Sequence, residues 1–155
     1  MKKIYTVMAA VAAIFLSLTL TSCEDDWGPG YPPGPGDTFY DTALTGCYWE
    51  LYQVNSSVVD PDEVNILEFF NNGRGYYYEI ENGRPFRDNT SWWCQWSNNS
   101  TSDYQINLII EGKSPSTMNY WFTHNGNYLW MQWYNRYEGT TTYVYRAVDT
   151  LPYPF

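Results

Sequence analysis

The sequence is short of basic residues, histidine and cysteine, and each shortage excludes a class of function. Eight Lys and Arg stand against seventeen Asp and Glu in 155 residues, which gives a formal net charge of −9. A chain this acidic lacks the cations that a phosphate backbone requires, so no nucleic-acid partner is predicted. One His and three Cys, without the usual ligand spacing, predict no metal site and no cofactor.

Recognisable catalytic motifs are missing as well. No Ser or Cys lies in a nucleophile motif, and there is no glycine-rich loop of the kind that cradles phosphate. His124, the one histidine, adjoins Asn125-Gly126 and is typical of a solvated hairpin end. Glu79 and Glu81 share one side of a strand, which we expect to face solvent rather than to hydrolyse a glycoside. We therefore predict that the protein is not an enzyme.

The long apolar run of the chain lies at its N-terminus. Met1-Lys2-Lys3 precedes an apolar stretch over residues 4–20, and small residues lead from there to Cys23. This order is typical of a cleaved secretory signal over residues 1–22, with a membrane-spanning helix as the alternative. Leu20-Thr21-Ser22-Cys23 resembles a bacterial lipobox, which implies lipidation at Cys23 and a stable membrane anchor.

The residues directly after Cys23 indicate where in the cell the protein is expected to be located. Glu24-Asp25-Asp26 resembles an acidic export signal of some Gram-negative bacteria. The resemblance implies a lipid-anchored protein of the outer membrane that faces the cell exterior, with a periplasm-facing position as the alternative. Without Lys2 and Lys3 the chain has six basic and seventeen acidic residues, a net charge of −11, so we expect membrane contact through the lipid anchor rather than through the fold.

A Pro/Gly-rich stretch separates the anchor from the rest of the chain. Residues 27–36 are mostly Pro and Gly, a composition that predicts an extended spacer of roughly 30 Å at about 3 Å per residue. The predicted organisation is therefore a signal peptide over 1–22, a lipidated Cys, acidic start and tether over 23–43, and one β domain over 44–155.

Short β-rich runs separated by turn residues fill the chain from Leu44 onward, and no long stretch has helical period. Asn-Gly at three junctions indicates hairpins, because both central positions of a type I′ turn need positive φ. A sheet of sequential strands leaves two exposed edges unless it closes. The predicted fold class is all-β, an eight-stranded antiparallel up-and-down barrel, with a two-sheet β-sandwich as the alternative. The predicted strands span residues 46–54, 65–70, 75–81, 91–97, 104–111, 117–124, 127–134 and 140–147.

Alternation within these strands predicts an interior nearly filled by large side chains, without a roomy cavity. The predicted inward residues include Trp49 in the first strand and Cys94 in the fourth. In the third strand, Tyr76, Tyr78 and Ile80 are predicted to face inward.

One stretch carries a family resemblance. Leu44-Thr45-Gly46-Cys47-Tyr48-Trp49 resembles the Leu-x-Gly-x-Trp opening of lipocalin-like domains on bacterial surface lipoproteins. The resemblance continues through residues 69–75, the Trp96 strand and the closing Tyr143-x-Tyr145-Arg146. It implies a barrel on the cell surface and a cation–π contact of Arg146 over Trp49. The family is largely uncharacterised, so the resemblance implies fold and location more than activity.

Cys47 and Cys94 remain once Cys23 is lipidated. In an oxidising compartment a disulfide between them is one interpretation. The first and fourth strands of a regular barrel are not neighbours, however, and a disulfide needs Cα atoms about 4.4–6.8 Å apart. Two buried free thiols are the other interpretation, and both stay open.

Two tripeptides resemble a short bacterial O-glycosylation acceptor of the form Asp-Thr-apolar. They are Asp41-Thr42-Ala43 and Asp149-Thr150-Leu151. The resemblance implies possible O-glycosylation at Thr42 and Thr150.

Aromatic residues give the sharpest functional indication, with sixteen Tyr and eight Trp. Counting across Asn125-Gly126 places Trp121 opposite Trp130, on the side away from the core. Such a pair stabilises a hairpin by up to about 1 kcal/mol, which is a purely structural interpretation. Exposed aromatic patches also mark contact sites. The candidate binding surface consists of Trp93, Trp121, Tyr128, Trp130 and Tyr134.

The predicted function is that of a non-catalytic binding module for a glycan or a protein. Sugars stack their C–H faces on rings, while amides such as Asn119 and Gln132 bind hydroxyls; proteins use Trp and Tyr as anchors. Two alternatives are a structural or accessory subunit of an outer-membrane complex and a carrier of a small apolar ligand inside the barrel.

Overall fold

The chain folds into a closed antiparallel β-barrel. The computed structural model describes residues 37–81, 83–96, 104–152 and 154–155, so the predicted signal peptide, Cys23 and most of the tether lie outside the described residues. A short 3-10 turn, η1, spans Thr42–Leu44. The strands are β1 (Thr38–Phe39), β2 (Tyr48–Val54), β3 (Ser57–Val58), β4 (Asn65–Phe69), β5 (Arg74–Glu81), β6 (Arg84–Trp96), β7 (Tyr104–Ile110), β8 (Ser116–Phe122), β9 (Tyr128–Asn135) and β10 (Gly139–Val148).

Eight strands form the barrel, in the order β6-β5-β4-β2-β10-β9-β8-β7, and β7 pairs back to β6. Every pairing between these strands is antiparallel. The predicted all-β barrel is therefore confirmed, and the sandwich alternative is wrong because the sheet closes on itself. Two short strands are additional: β1 pairs with β6, and β3 pairs with β2. No helix within the described ranges is long and apolar enough to cross a membrane.

The Asn72-Gly73 and Asn125-Gly126 turns differ from the predicted type I′ geometry, because neither Asn has a positive φ, while Asn82 of the third junction lies outside the described residues. At the β8–β9 turn the Gly126 N–H donates to the Thr123 carbonyl at 2.8 Å, and Gly126 adopts a φ of 69°. The positive-φ residues other than glycine, among those described, are Asn55 and Ser56, at 49° and 70°. They join Val54 to its partner Ser57 as a two-residue connection, so the turn with two positive φ angles lies between β2 and β3.

Strand β6 is longer than predicted. It begins at Arg84 rather than residue 91 because residues 84–91 pair continuously with β5. This polar stretch has no apolar alternation from which a strand could be read. Pairing with β7 starts only at Thr90, so Pro85 lies where β6 has one neighbour, a position that tolerates its missing N–H.

The interior is filled by side chains from all eight barrel strands. The prediction for Trp49 and Cys94 is confirmed, since both are fully buried in this core. The core cluster comprises Leu44, Trp49, Leu67, Phe69, Trp92, Cys94, Ile106, Leu108, Met118, Tyr120, Leu129, Met131 and Tyr145, with Tyr77 of β5 packed against it.

The inward side of β5 was predicted wrongly. Tyr77 packs against the core, while Tyr76, Tyr78 and Ile80 belong to a second cluster outside the barrel. Three consecutive tyrosines give both sides of this strand a large ring, so alternation could not choose between them. Gly75 fixes the register, because a Cβ at this residue would lie 2.0 Å from the Glu68 carbonyl oxygen.

Residues 38–44 close one end of the barrel, although the sequence assigned residues 38–43 to the tether. Strand β1 pairs with the last part of β6, after the residues of β6 that pair with β5. The Tyr120 hydroxyl donates to the Asp41 carboxylate at 2.7 Å, and the Trp49 indole N–H donates to the Leu44 carbonyl at 2.9 Å. The folded part therefore begins before Leu44, the expected boundary.

The C-terminal residues cover the outer side of β4 and β5. We call this the sealed face, and it consists of Tyr48, Val64, Ile66, Tyr76, Tyr78 and Ile80. Leu151 and Phe155 pack against it, and the Phe155 ring lies 5.0 Å from the Tyr78 ring. Ile66 is 0% exposed although it points away from the barrel axis, so the sealed face is a second small core.

Candidate functional site

The outer side of β6 to β10 carries a continuous surface that we call the amide-aromatic face. Its side chains alternate with the core residues of the same strands and line up in three rows across them. The first row is Trp121, Trp130 and Val144; the second is Gln95, Gln105, Asn119, Gln132 and Thr142; the third is Trp93, Asn107, Thr117, Tyr134 and Thr140.

The first row is built around a stacked pair of indoles. Trp121 lies directly opposite Trp130, which confirms the predicted pairing of these two residues. The centres of their rings lie 5.9 Å apart, with an interplanar angle of 16°. Both rings are half-buried, and Val144 continues the row on β10. The row therefore presents two nearly parallel flat rings at one border of the face.

The second row is a ladder of amides. The Gln95 side-chain N–H donates to Gln105 at 3.3 Å, and Gln105 donates to Asn119 at 3.1 Å. Gln132, opposite Asn119, donates to Thr142 at 3.4 Å. Each bond joins residues that face each other on neighbouring strands, so the ladder follows from the register of the barrel.

The third row contains Trp93 and an unusual amide. The Asn107 side-chain oxygen accepts from the Thr117 hydroxyl at 2.7 Å. Its Nδ2 is shielded from solvent and makes no hydrogen bond. Tyr134, which is 71% exposed, projects beyond the row on β9. Two of the predicted surface residues, Trp93 and Tyr134, thus lie on the border opposite the Trp121–Trp130 pair.

The fifth predicted residue, Tyr128, lies one row further out, opposite Arg146. Its ring lies 5.9 Å from Tyr52, and the Arg146 guanidinium stands over the Tyr52 ring at 5.6 Å. Arg146 also donates from Nε to Glu50 at 3.1 Å, a hydrogen bond that raises the pKa of Arg146. The predicted stacking of Arg146 over Trp49 is wrong, because Trp49 points into the core while Arg146 points outward.

The remaining predicted residues lie elsewhere. Neither Cys47 nor Cys94 forms a disulfide, so the disulfide interpretation does not hold in this structure. Burial raises the pKa of the Cys94 thiol to about 12, and burial also raises the pKa of its neighbour Tyr120.

Thr42 and Thr150, the two predicted O-glycosylation residues, are exposed, and so is His124. In the part of the chain that the structure describes, no group of three or more His, Cys, Asp or Glu could hold a metal ion.

A polar cluster at the other end of the barrel was missed. Glu79 points into the barrel, whereas the sequence prediction had it facing solvent. The side chain of Glu81 lies outside the described part of the chain. The Lys113 ammonium lies 2.9 Å from the Glu79 carboxylate and 4.6 Å from the Tyr77 ring centre, bridging the barrel mouth. Burial, and then Glu79, raise the pKa of Tyr77. No motif signals this contact, because its partners are 34 residues apart.

A shallow depression of about 220 Å³ opens near the closed end of the barrel. It is lined by Gly46, Cys47, Tyr48, Glu68, Phe69 and Phe70. One lining residue, Phe69, belongs to the core cluster.

Comparison with known proteins adds no relative. No protein-family model matches the chain, and neither a curated protein nor a solved structure does.

Proposed function

We propose that the protein is an outer-membrane lipoprotein, anchored through Cys23 and facing the cell exterior, that acts as a non-catalytic binding module. The N-terminal pattern and the resemblance to lipocalin-like surface domains support the location. The binding surface is the amide-aromatic face, and its ligand is a glycan or a protein. The barrel serves as a rigid frame that holds the side chains of this face in register.

One observation carries the proposal: a stacked Trp pair borders a ladder of amides on the outside of the barrel. A Trp pair that only stabilised its hairpin would not need polar neighbours across five strands. Aromatic rings next to amide donors and acceptors are what a ligand with both apolar and hydroxyl or amide groups requires.

The two alternatives have less support. An accessory subunit of an outer-membrane complex would dock through the same rings, and pull-down of a membrane protein in place of a sugar would favour it. A carrier of a small apolar ligand needs internal space, whereas the barrel axis is occupied by a core whose largest side chains are fully buried.

The binding experiment uses the full chain, solubilised in detergent, on a broad glycan panel. The Trp121→Ala/Trp130→Ala double variant is expected to lose binding while keeping its β-sheet circular dichroism. Tyr137→Ala is the matched control, because Tyr137 is 78% exposed on the β9–β10 turn outside the three rows. Equal binding by the double variant and the wild type would remove the amide-aromatic face as the site.

The anchor is tested separately. Cys23→Ser is expected to abolish incorporation of labelled fatty acid and to release the protein from the membrane fraction. Protease treatment of intact cells should degrade the wild-type protein. Resistance that disappears only when the outer membrane is opened would place the domain in the periplasm instead.

A further inference from the structure

We propose that the ligand of the amide-aromatic face is an uncharged polysaccharide, whose chain lies across the strands along the amide ladder. This inference rests on the proposed function and narrows it to one substrate class.

The first argument is charge. None of the side chains in the three rows is ionisable near neutral pH, although the chain as a whole has a net charge of −9. The charged residues beside the face have partners outside it: Arg146 pairs with Glu50 beyond the first row. On the β9–β10 turn, Arg136 lies over the Tyr137 ring and Glu138 accepts a hydrogen bond from Asn135. An acidic or basic ligand would lose hydration here without meeting an opposite charge. The face therefore suits a neutral ligand.

The second argument is hydrogen-bonding capacity. A side-chain amide has two N–H donors and an oxygen with two acceptor sites, and each ladder bond uses one donor and one acceptor. Gln105 donates to Asn119 and accepts from Gln95, which leaves an N–H and an acceptor site. Hydroxyl groups, like amides, both donate and accept. A polymer rich in hydroxyls thus matches a side chain such as Gln105, which keeps both a donor and an acceptor site for a ligand.

The third argument is shape. Asn119, in the middle of the ladder, is 9% exposed, while Tyr134 at the border is 71% exposed. The ladder therefore lies between an indole border, Trp121 and Trp130, and the opposite border with Trp93 and Tyr134, and Asn119 is its most shielded member. The two borders are four residues apart along a strand, or roughly 13 Å. With strands spaced at about 4.8 Å, the five-strand ladder runs roughly 19 Å around the curved outside of the barrel, a length that favours several linked sugars over one.

The experiment compares matched neutral and acidic polymers. The full chain in detergent is run in affinity electrophoresis against dextran, pullulan and hydroxyethyl cellulose, and against the carboxymethyl derivative of each backbone. We expect at least one neutral polymer to retard the protein and its carboxymethyl form to bind at least about tenfold more weakly, because each carboxylate would be desolvated without a partner. Retardation by the neutral polymer should be equal in about 50 mM and about 500 mM NaCl, since no ion pair is screened.

Ladder variants give the second test. Gln105→Leu and Gln132→Leu keep the size of the side chain but remove its donors and acceptor, and each is expected to weaken binding about tenfold. Asn89→Leu is the control, on the exposed side of β6 outside the three rows. A circular dichroism spectrum and an unfolding midpoint like those of wild type confirm that each variant folds.

The outcomes separate this inference from the proposed function. In one outcome the Trp double variant loses glycan binding while the ladder variants and carboxymethylation have no effect. That result overturns the neutral-polysaccharide inference but still supports the amide-aromatic face as the binding site. Tighter, salt-dependent binding of the acidic polymers overturns the neutral-ligand assignment. Failure of every neutral polymer, together with a protein crosslinked to this face in intact membranes, overturns the sugar ligand and keeps a binding site for protein.

Discussion

The barrel has two aromatic outer faces, and they differ in what lies on top of them. On the sealed face, the Tyr76 and Tyr78 rings contact each other, and the C-terminal Phe155 packs on Tyr78. On the amide-aromatic face, Trp121 and Trp130 are half-buried and stand beside a row of amides. The same residue types thus build a core where the chain covers them and a candidate site where polar side chains surround them.

This difference shows why an outward ring is not by itself a sign of binding. The Tyr78 hydroxyl on the sealed face is held by the Glu68 carboxylate at 2.6 Å, so that ring is both covered and satisfied. The sealed face contributes to stability and the amide-aromatic face, on our proposal, to recognition. Substitutions on one face should therefore change unfolding, and on the other face binding.

The largest effect is expected for Ile66→Ala. Ile66 is fully buried outside the barrel, so the substitution leaves a cavity and should lower the free energy of unfolding by about 2–5 kcal/mol. Urea unfolding followed by tryptophan fluorescence measures it. Val58→Ala, at a residue that is 62% exposed, is the control and should change stability by less than about 0.5 kcal/mol. Equal effects of the two would mean that the sealed face is not a core.

A smaller effect is expected for Phe155→Ala. The Phe155 ring packs on Tyr78, so its loss should cost about 1–2 kcal/mol and should expose the sealed face to the dye ANS. Phe86→Ala is a matched control because Phe86 is an exposed ring on β6. Unchanged ANS fluorescence in Phe155→Ala would show that the C-terminal residues do not protect this face.

The coupling between the two Trp rings should be the smallest of these effects. A double-mutant cycle of Trp121→Ala, Trp130→Ala and the double variant in urea unfolding is expected to give a coupling energy of about 1 kcal/mol, the value of one cross-strand aromatic contact. A coupling energy as large as the loss in Ile66→Ala would mean that the pair is structural, and the contrast between the faces would collapse.

The sealed face should also respond to alkali. Burial, and then the hydrogen bond to Glu68, raise the pKa of Tyr78 above its usual value near 10. The unfolded chain therefore releases this proton first, so the stability contribution is present below about pH 10 and declines above it. Tyr78→Phe should show a smaller fall of the urea midpoint between about pH 9 and about pH 11 than wild type. Tyr137→Phe, on an exposed turn, should follow the wild type, and identical slopes for all three would contradict the assignment.

The sequence predicted the barrel well because its main signals are local. Alternating apolar residues define each strand, and Gly126 fixes the turn that places Trp121 opposite Trp130. The sequence could not show which side chains of β5 point into the barrel, because three consecutive tyrosines occupy both sides of the strand. Its register depends instead on the close approach of Gly75 to Glu68.

The candidate site was predicted only in part. Four of its aromatic residues and the amides Asn119 and Gln132 could be identified from the sequence, but the complete ladder could not. Gln95 and Thr142 become members of one row only when the relative registers of five strands are known. The sealing of β4 and β5 by Phe155 also depends on a long-range contact that no local pattern records.

Residues 38–44 have a mechanical consequence. On our proposal this segment links the barrel to a lipid anchor at Cys23, so tension between a captured polymer and the membrane would pass through it. Strand β1 pairs with β6 at two positions only, whereas Leu44 is fully buried and Asp41 is bonded to Tyr120. Under load β1 peels away first and releases about 3.3 Å of chain per residue, while the contacts around Leu44 keep the eight-stranded barrel intact. A short early extension in single-molecule pulling from the N-terminus, missing when the pull is applied elsewhere, would reveal this compliant link.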